Sequence, residues 1–154
     1  MPGKIDKRLA ELGIALPEPS AARANYLSHV VTGKIAVIAG QLSKLRGEKI
    51  KGKLGADLSV PDGYKAARLC AINLLPHLRN ACSGDLDRVK QCIEVGGFVN
   101  SAPGFTDHPK VLNGASDLLF EVFGEAGRHT RFAVGVAALP FDFAVEVKAI
   151  FELT

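Results

Sequence analysis

The 154-residue chain has no tryptophan, a single methionine and only 6% aromatic residues, so its core must rest on Val, Ile, Leu, Ala and eight Phe. Its three cysteines, Cys70, Cys82 and Cys92, are an odd number without metal-ligand spacing. They read as small buried hydrophobes, which suits a reducing cytoplasm. No run approaches the ~20 apolar residues of a membrane span. The opening MPGKIDKRLAEL carries charges where a secretory signal needs an apolar stretch. GxGxxG, GxxxxGK[ST] and GxSxG are all missing, and His29, His77, His108 and His129 show no HxH, HxxxH or HExxH spacing. Neither a cofactor nor a metal is expected.

What is present fits one folded domain: 47% apolar and 23% charged residues in a chain of ordinary domain size. The net charge of +3 is unevenly spread, with an excess of cations at Lys44, Arg46, Lys49, Lys51 and Lys53. Clustered cations can neutralise phosphates. The alternation of Lys49, Lys51 and Lys53 with Ile50 and Gly52 instead favours a half-exposed strand whose lysines guard an edge.

Ile5, Leu9 and Leu12 lie at helical spacing before Gly13, and Pro17-Glu18-Pro19 then forbids regular structure. Residues 1–24 are therefore expected to form a helical extension and linker, and 25–154 the domain. Tyr26–Val31 and Ile35–Ala39 read as a hairpin about Gly33, and Lys49–Leu54 as a third strand. Ser59 and Asp62 resemble a capping box. A 3.6-residue stripe from Tyr64 to Leu78 follows, interrupted by Pro76, which should kink the helix. Arg88–Asn100 is expected as a strand, with Ile93 and Val95 on one face, Cys92 and Glu94 on the other, and a bulge or bend at Gly96-Gly97. Pro109–Phe123 reads as a helix, and Arg131–Leu139 and Ala144–Leu153 as strands. Helices and strands mix without strict alternation in the order β-β-β-α-β-α-β-β, an α+β pattern.

Two residues carry candidate chemistry. Arg131 opens an apolar strand and shares its face with Ala133, Gly135 and Ala137, which leave room beside a guanidinium. Such a group can hold a carboxylate through two parallel hydrogen bonds, or pair with an acid at a sheet end. Glu146 lies within the last strand, with Val145 and Val147 pointing to the opposite face. Apolar surroundings would raise its pKa and suit it to move protons, while an exposed strand glutamate would do neither. If the last two strands form a direct hairpin, Arg131 falls opposite Glu152 and about 20 Å of strand separates it from Glu146.

The stretch from Arg131 through Val134, Val136, Leu139 and Pro140, with Glu146 six residues further on, resembles the C-terminal signature of the YjgF/RidA family. Tyr26 and Ala39-Gly40-Gln41 resemble its N-terminal segments. The likeness runs from Tyr26 to the C-terminus and, with the extra N-terminal helix, points to the endoribonuclease L-PSP-like or chorismate-mutase-like subgroup. It implies a chorismate-mutase-like fold assembled as a homotrimeric barrel, with sites in the clefts between subunits. It further implies hydrolysis of amino-acid-derived imines or enamines to 2-keto acids and ammonia. Arg131 would bind the carboxylate and Glu146 would position or activate water. Tyr26, Gly40 and Pro140 would shape the cleft. Asn113 matches a family asparagine with its separation from Arg131 one residue longer. Ala39 stands where the family has serine and Ala133 where many members have cysteine, and the segment Asp107–Ser116 is expected as a lengthened loop. The alternatives are a non-catalytic binder of small carboxylates and, ranked last, an RNA-cleaving enzyme; nucleic acid is not an expected partner.

Overall fold

The computed structural model describes residues 1–154. Its elements are α1 (Lys4–Glu11), β1 (His29–Thr32), β2 (Ile35–Leu42), β3 (Lys44–Leu45), β4 (Glu48–Lys49), α2 (Val60–Ala81), β5 (Val89–Asn100), α3 (His108–Phe123), β6 (Thr130–Val136) and β7 (Val145–Leu153). Five strands form one sheet in the order β1-β2-β7-β5-β6, and β3 and β4 make a separate two-stranded ribbon. The α+β expectation holds.

Helix α2 begins where the sequence places it. Ser59 accepts from the Asp62 backbone and the Asp62 carboxylate accepts from the Ser59 backbone, a complete capping box. The helix does not break at Pro76. It runs unbroken to Ala81 with Leu74, Leu75, Pro76 and Leu78 all buried, so packing on both sides of the proline holds the backbone helical. Truncating one of these leucines to alanine removes about 2–5 kcal/mol of burial and cavity energy. Helix α3 lies beside α2 at very short range: a Cβ on Gly114 would sit 2.0 Å from the Tyr64 carbonyl oxygen. Both helices cover one face of the sheet, against Ile38, Val95, Val99, Val147 and Phe151.

Several expectations fail. Lys49–Leu54 is no third strand of the sheet: only Glu48–Lys49 pairs, with Lys44–Leu45, and Lys51 and Leu54 make isolated bridges. The positive φ of Gly52 and Gly55 breaks the extended run. In β5 the ladder shifts register between Val89 and Gln91 and between Cys92 and Glu94, not at Gly96-Gly97. The second bulge puts Cys92 and Val95 both in the core and leaves Ile93 exposed, reversing the expected alternation. The glycines there serve close packing: an added Cβ would meet Phe132 at Gly96 and Leu112 at Gly97. Asp107–Ser116 is not a loop either, because α3 starts at His108 with Pro109 in its first turn.

The last two strands do not form a hairpin. β6 runs parallel to β5, while β7 inserts antiparallel between β2 and β5. A strand that returns parallel through a helix needs a crossover, and β5-α3-β6 supplies one. That leaves the vacant side of β5 for β7.

The N-terminal helix joins the core through Ile5 and Leu9. Its cap comes from far along the chain: both Asp87 carboxylate oxygens accept, at 2.8 Å each, from the Lys4 and Ile5 backbone N–H groups. These bonds hold the Asp87 carboxyl below its ordinary range. All three cysteines are free and buried. Burial pushes the Cys82 thiol up to about 11 and Cys92 up to about 12.

Candidate functional site

Arg131 pairs with Val95, and Ala133 with Gly97, which in turn pairs with Val147 of the core. Arg131 therefore points to the helix-covered face, at the open edge strand. Its Nη1 donates to Asn113 Oδ1 at 2.9 Å and to Ser116 Oγ at 3.1 Å, and its Nη2 to the Pro109 carbonyl at 3.4 Å. Asn113 and Ser116 stand three residues apart on α3 and so present to one side. No carboxylate is within ion-pair distance of Arg131. The guanidinium is held by neutral acceptors only.

Ser116 also touches His129 Nε2, at 2.9 Å. His129 Nδ1 lies 2.7 Å from the Gly127 carbonyl, which can only accept. Nδ1 therefore carries the proton, and Nε2 accepts from the Ser116 hydroxyl. Burial lowers the His129 pKa and the nearby Arg131 charge adds to this, against the opposing Gly127 bond. These side chains, with Asp117, Phe120 and Arg128, surround a cleft of about 470 Å³.

Glu146 belongs to a different place. It pairs with Leu42 and Phe98 and alternates with buried Val145 and Val147, so it faces the side of the sheet that no helix covers. Strand β2 carries a bulge between Ile38 and Gln41, where Ala39 and Gly40 lie. A Cβ on Gly40 would come within 2.5 Å of Glu146 Oε1, so any larger residue there would push the Glu146 carboxylate aside. The carboxylate is half-buried, and that burial raises its pKa above the ordinary 4.5. Tyr26, Ala39, Gly40, Leu42 and Phe141 line an adjoining cavity of about 370 Å³. Pro140 begins the turn that carries Phe141.

The candidate residues thus fall into two separate clusters. Arg131, Asn113 and Ala133 sit at the β6 edge, and Tyr26, Ala39, Gly40 and Glu146 near β2 and β7. Arg131 and Glu146 are two strands and three register positions apart, roughly 10 Å in each direction, and on opposite faces. Ser116, His129 and Phe141 were not singled out by the sequence as site residues. Ser116 could have been found from its i+3 relation to Asn113, and His129 from its place two residues before Arg131, just ahead of β6.

The fold and these two clusters define an α+β protein with an arginine free of acidic partners at its edge strand and a separate carboxylate beside a β-bulge. Residues 6–153 match the family model described as "YjgF/chorismate mutase-like, putative endoribonuclease". The chain is 49% identical over 153 residues to protein TCP17 of Trypanosoma cruzi, covering 98% of this chain and 95% of that one. Among solved structures, the Atu1372 protein of Agrobacterium tumefaciens superposes with a TM-score of 0.89 at 42% identity, covering 97% of this chain and 94% of the other. A "putative endoribonuclease" of Shewanella oneidensis MR-1 does so with a TM-score of 0.93 at 39% identity, covering 98% and 100%. The chain belongs to the YjgF/chorismate mutase-like family. No helix in it is long and apolar enough to cross a membrane.

Proposed function

We propose that the protein is an imine/enamine deaminase, a homotrimer whose sites form where the β6 edge of one chain meets the β2–β7 region of another. The observation that carries this reading is Arg131: a cation fixed by Asn113 and Ser116 with no acid to neutralise it. It would take the carboxylate of a 2-imino acid. Glu146, with its raised pKa, would accept a proton from water as the oxygen adds to the imine carbon. That proton passes to the nitrogen to give a carbinolamine; its hydroxyl proton then follows through Glu146 to the amine, the C–N bond breaks as the C=O bond forms, and a 2-keto acid and ammonia leave without any exchange of electrons.

The exposed apolar side chains of the helix-free face, Phe132 and Val134 of β6 and Val30 of β1, support assembly through that face. Three buried free thiols suit a reducing compartment, and we place the protein in the cytoplasm. Residues 1–24 act as an extension packed onto the 25–154 domain.

The test is ammonia release from imines generated in solution by an amino-acid oxidase. Arg131→Ala should lower kcat/KM by roughly a hundredfold, the loss of about 2–3 kcal/mol of charge-assisted binding. Glu146→Gln should lower kcat by about 10²–10⁴-fold. Full turnover by the Arg131 variant would sink the assignment. Ala39 favours a second reading, since no hydroxyl at that position helps to hold a substrate: a binder of small carboxylates without turnover. Thermal stabilisation by 2-keto acids with no imine consumed would establish it.

A further inference from the structure

Phe141 is the most exposed large hydrophobic residue after Met1, at 74%, and its backbone is left-handed with φ 56. Asp142 follows with φ 62. Two consecutive non-glycine residues in that region are strained, and such a turn persists only where its surroundings impose it.

Here the imposing groups are identifiable. Asn100, fully buried, donates from Nδ2 to Asp142 Oδ1 at 3.1 Å and to the Phe143 carbonyl at 3.2 Å. Lys53 Nζ donates to Asn100 Oδ1 at 2.7 Å and to the Ala137 carbonyl at 2.5 Å. The Gly52 backbone donates to the Asp142 carbonyl. The bonds to the Ala137, Asp142 and Phe143 carbonyls tie down the backbone on either side of Phe141, the side-chain bonds link the cluster together, and none uses the Phe141 ring. Its ring also joins none of the aromatic pairs of the fold, Phe98–Phe132, Phe105–His108 and Phe123–Phe151. The ring instead lines the cavity beside Gly40, with Tyr26, Ala39 and Leu42. A cavity of about 370 Å³ lies within the range of small-molecule sites.

We propose that Phe141 is the specificity-determining residue of this cleft, held out by the Lys53–Asn100–Asp142 cluster so that it and Tyr26 grip the apolar side chain of an imine substrate. The proposal rests on the deaminase reading and adds to it the substrate class: imines of branched or aromatic amino acids over those of small or acidic ones. Arg23 and Lys44 stand at the same cavity but are exposed and solvated, so they give little selection for an acidic side chain. The aromatic surface, in contrast, gains by leaving water.

The experiment compares kcat/KM for imines generated from leucine, alanine and glutamate, with wild type and Phe141→Gly. Glycine relieves the left-handed backbone, so the variant should fold with an unchanged or higher Tm. The wild-type preference for the leucine-derived over the alanine-derived imine should exceed tenfold and should collapse at least tenfold in the variant. An equal loss on both substrates, an unchanged ratio, or a wild-type preference for the glutamate-derived imine overturns the proposal. So does dissociation of the assembly, measured by light scattering, together with equal losses on both. Absence of turnover on every imine defeats the deaminase reading instead. The cleft is then read by calorimetry with 4-methyl-2-oxopentanoate and pyruvate: tighter binding of the former, lost in Phe141→Gly, keeps Phe141 as the selector, and equal binding removes it.

Discussion

At the scale of single residues, the weight of the functional reading lies on two charges that the fold leaves without counter-charges. Arg131 has three neutral acceptors and no acid, and Glu146 is half-buried against Gly40 with no cation within ion-pair distance. Burying an uncompensated carboxylate costs free energy in the ionised form. Because the folded Glu146 pKa is raised above 4.5, the folded chain keeps this proton to higher pH than the unfolded chain. Stability therefore falls as pH climbs through the interval between the two values, and the penalty is fully present above it. Glu146→Gln should raise Tm near neutral pH, and the gain should vanish below about pH 4, where both states are protonated. Tm measured across pH checks this, and an equal gain at every pH would show that packing, not ionisation, is responsible. The sequence made Arg131 and Glu146 visible because a charge inside an apolar strand breaks a period-two pattern. It could not show that Asn113 and Ser116 grip the guanidinium, since that contact spans the α3–β6 connection and depends on how the helix sits.

At the scale of elements, helices were legible and strand pairing was not. The capping box at Ser59, the stop at Gly13 and the end of α3 at Gly124 depend on residues close in sequence, so local chemistry is enough to place them. The faces of β5 depend on two bulges, which one strand's pattern does not announce and which turn Cys92 inward. The contact between α2 and α3 shows the reverse of a propensity rule. Alanine in a helix is ordinarily about 1 kcal/mol better than glycine. At Gly114 the added methyl would overlap the Tyr64 carbonyl and approach the Arg68 nitrogen, both backbone atoms that cannot swing aside. Gly114→Ala should therefore destabilise by about 2 kcal/mol, a Tm drop of roughly 4–8 °C. The same displacement moves Asn113 and Ser116, so kcat/KM should fall by more than stability alone explains when assayed well below Tm.

At the scale of the whole molecule, the topology decides how many chains a working site needs. An adjacent hairpin of the last two strands would have put Arg131 and Glu146 on neighbouring strands. The parallel return of β6 through α3 instead sends β7 to the far side of β5, and the two side chains emerge on opposite faces. No rotamer change carries either across a packed sheet. A site using both must therefore draw Arg131 from one chain and Glu146 from another, as heterologous contacts around a ring allow. This has a consequence that a single-chain site does not share. Arg131→Ala and Glu146→Gln proteins should each retain on the order of one per cent of activity or less as pure assemblies. When they are dissociated, mixed in equal amounts and reassembled, half of the Arg131 positions and half of the Glu146 positions are intact. Random pairing then restores about a quarter of wild-type activity. A mixture as inactive as its parents would place the chemistry within one chain and refute the shared cleft. Recovery near a quarter would tie the β6 edge of one subunit to the β2 bulge of the next without any need to see the substrate.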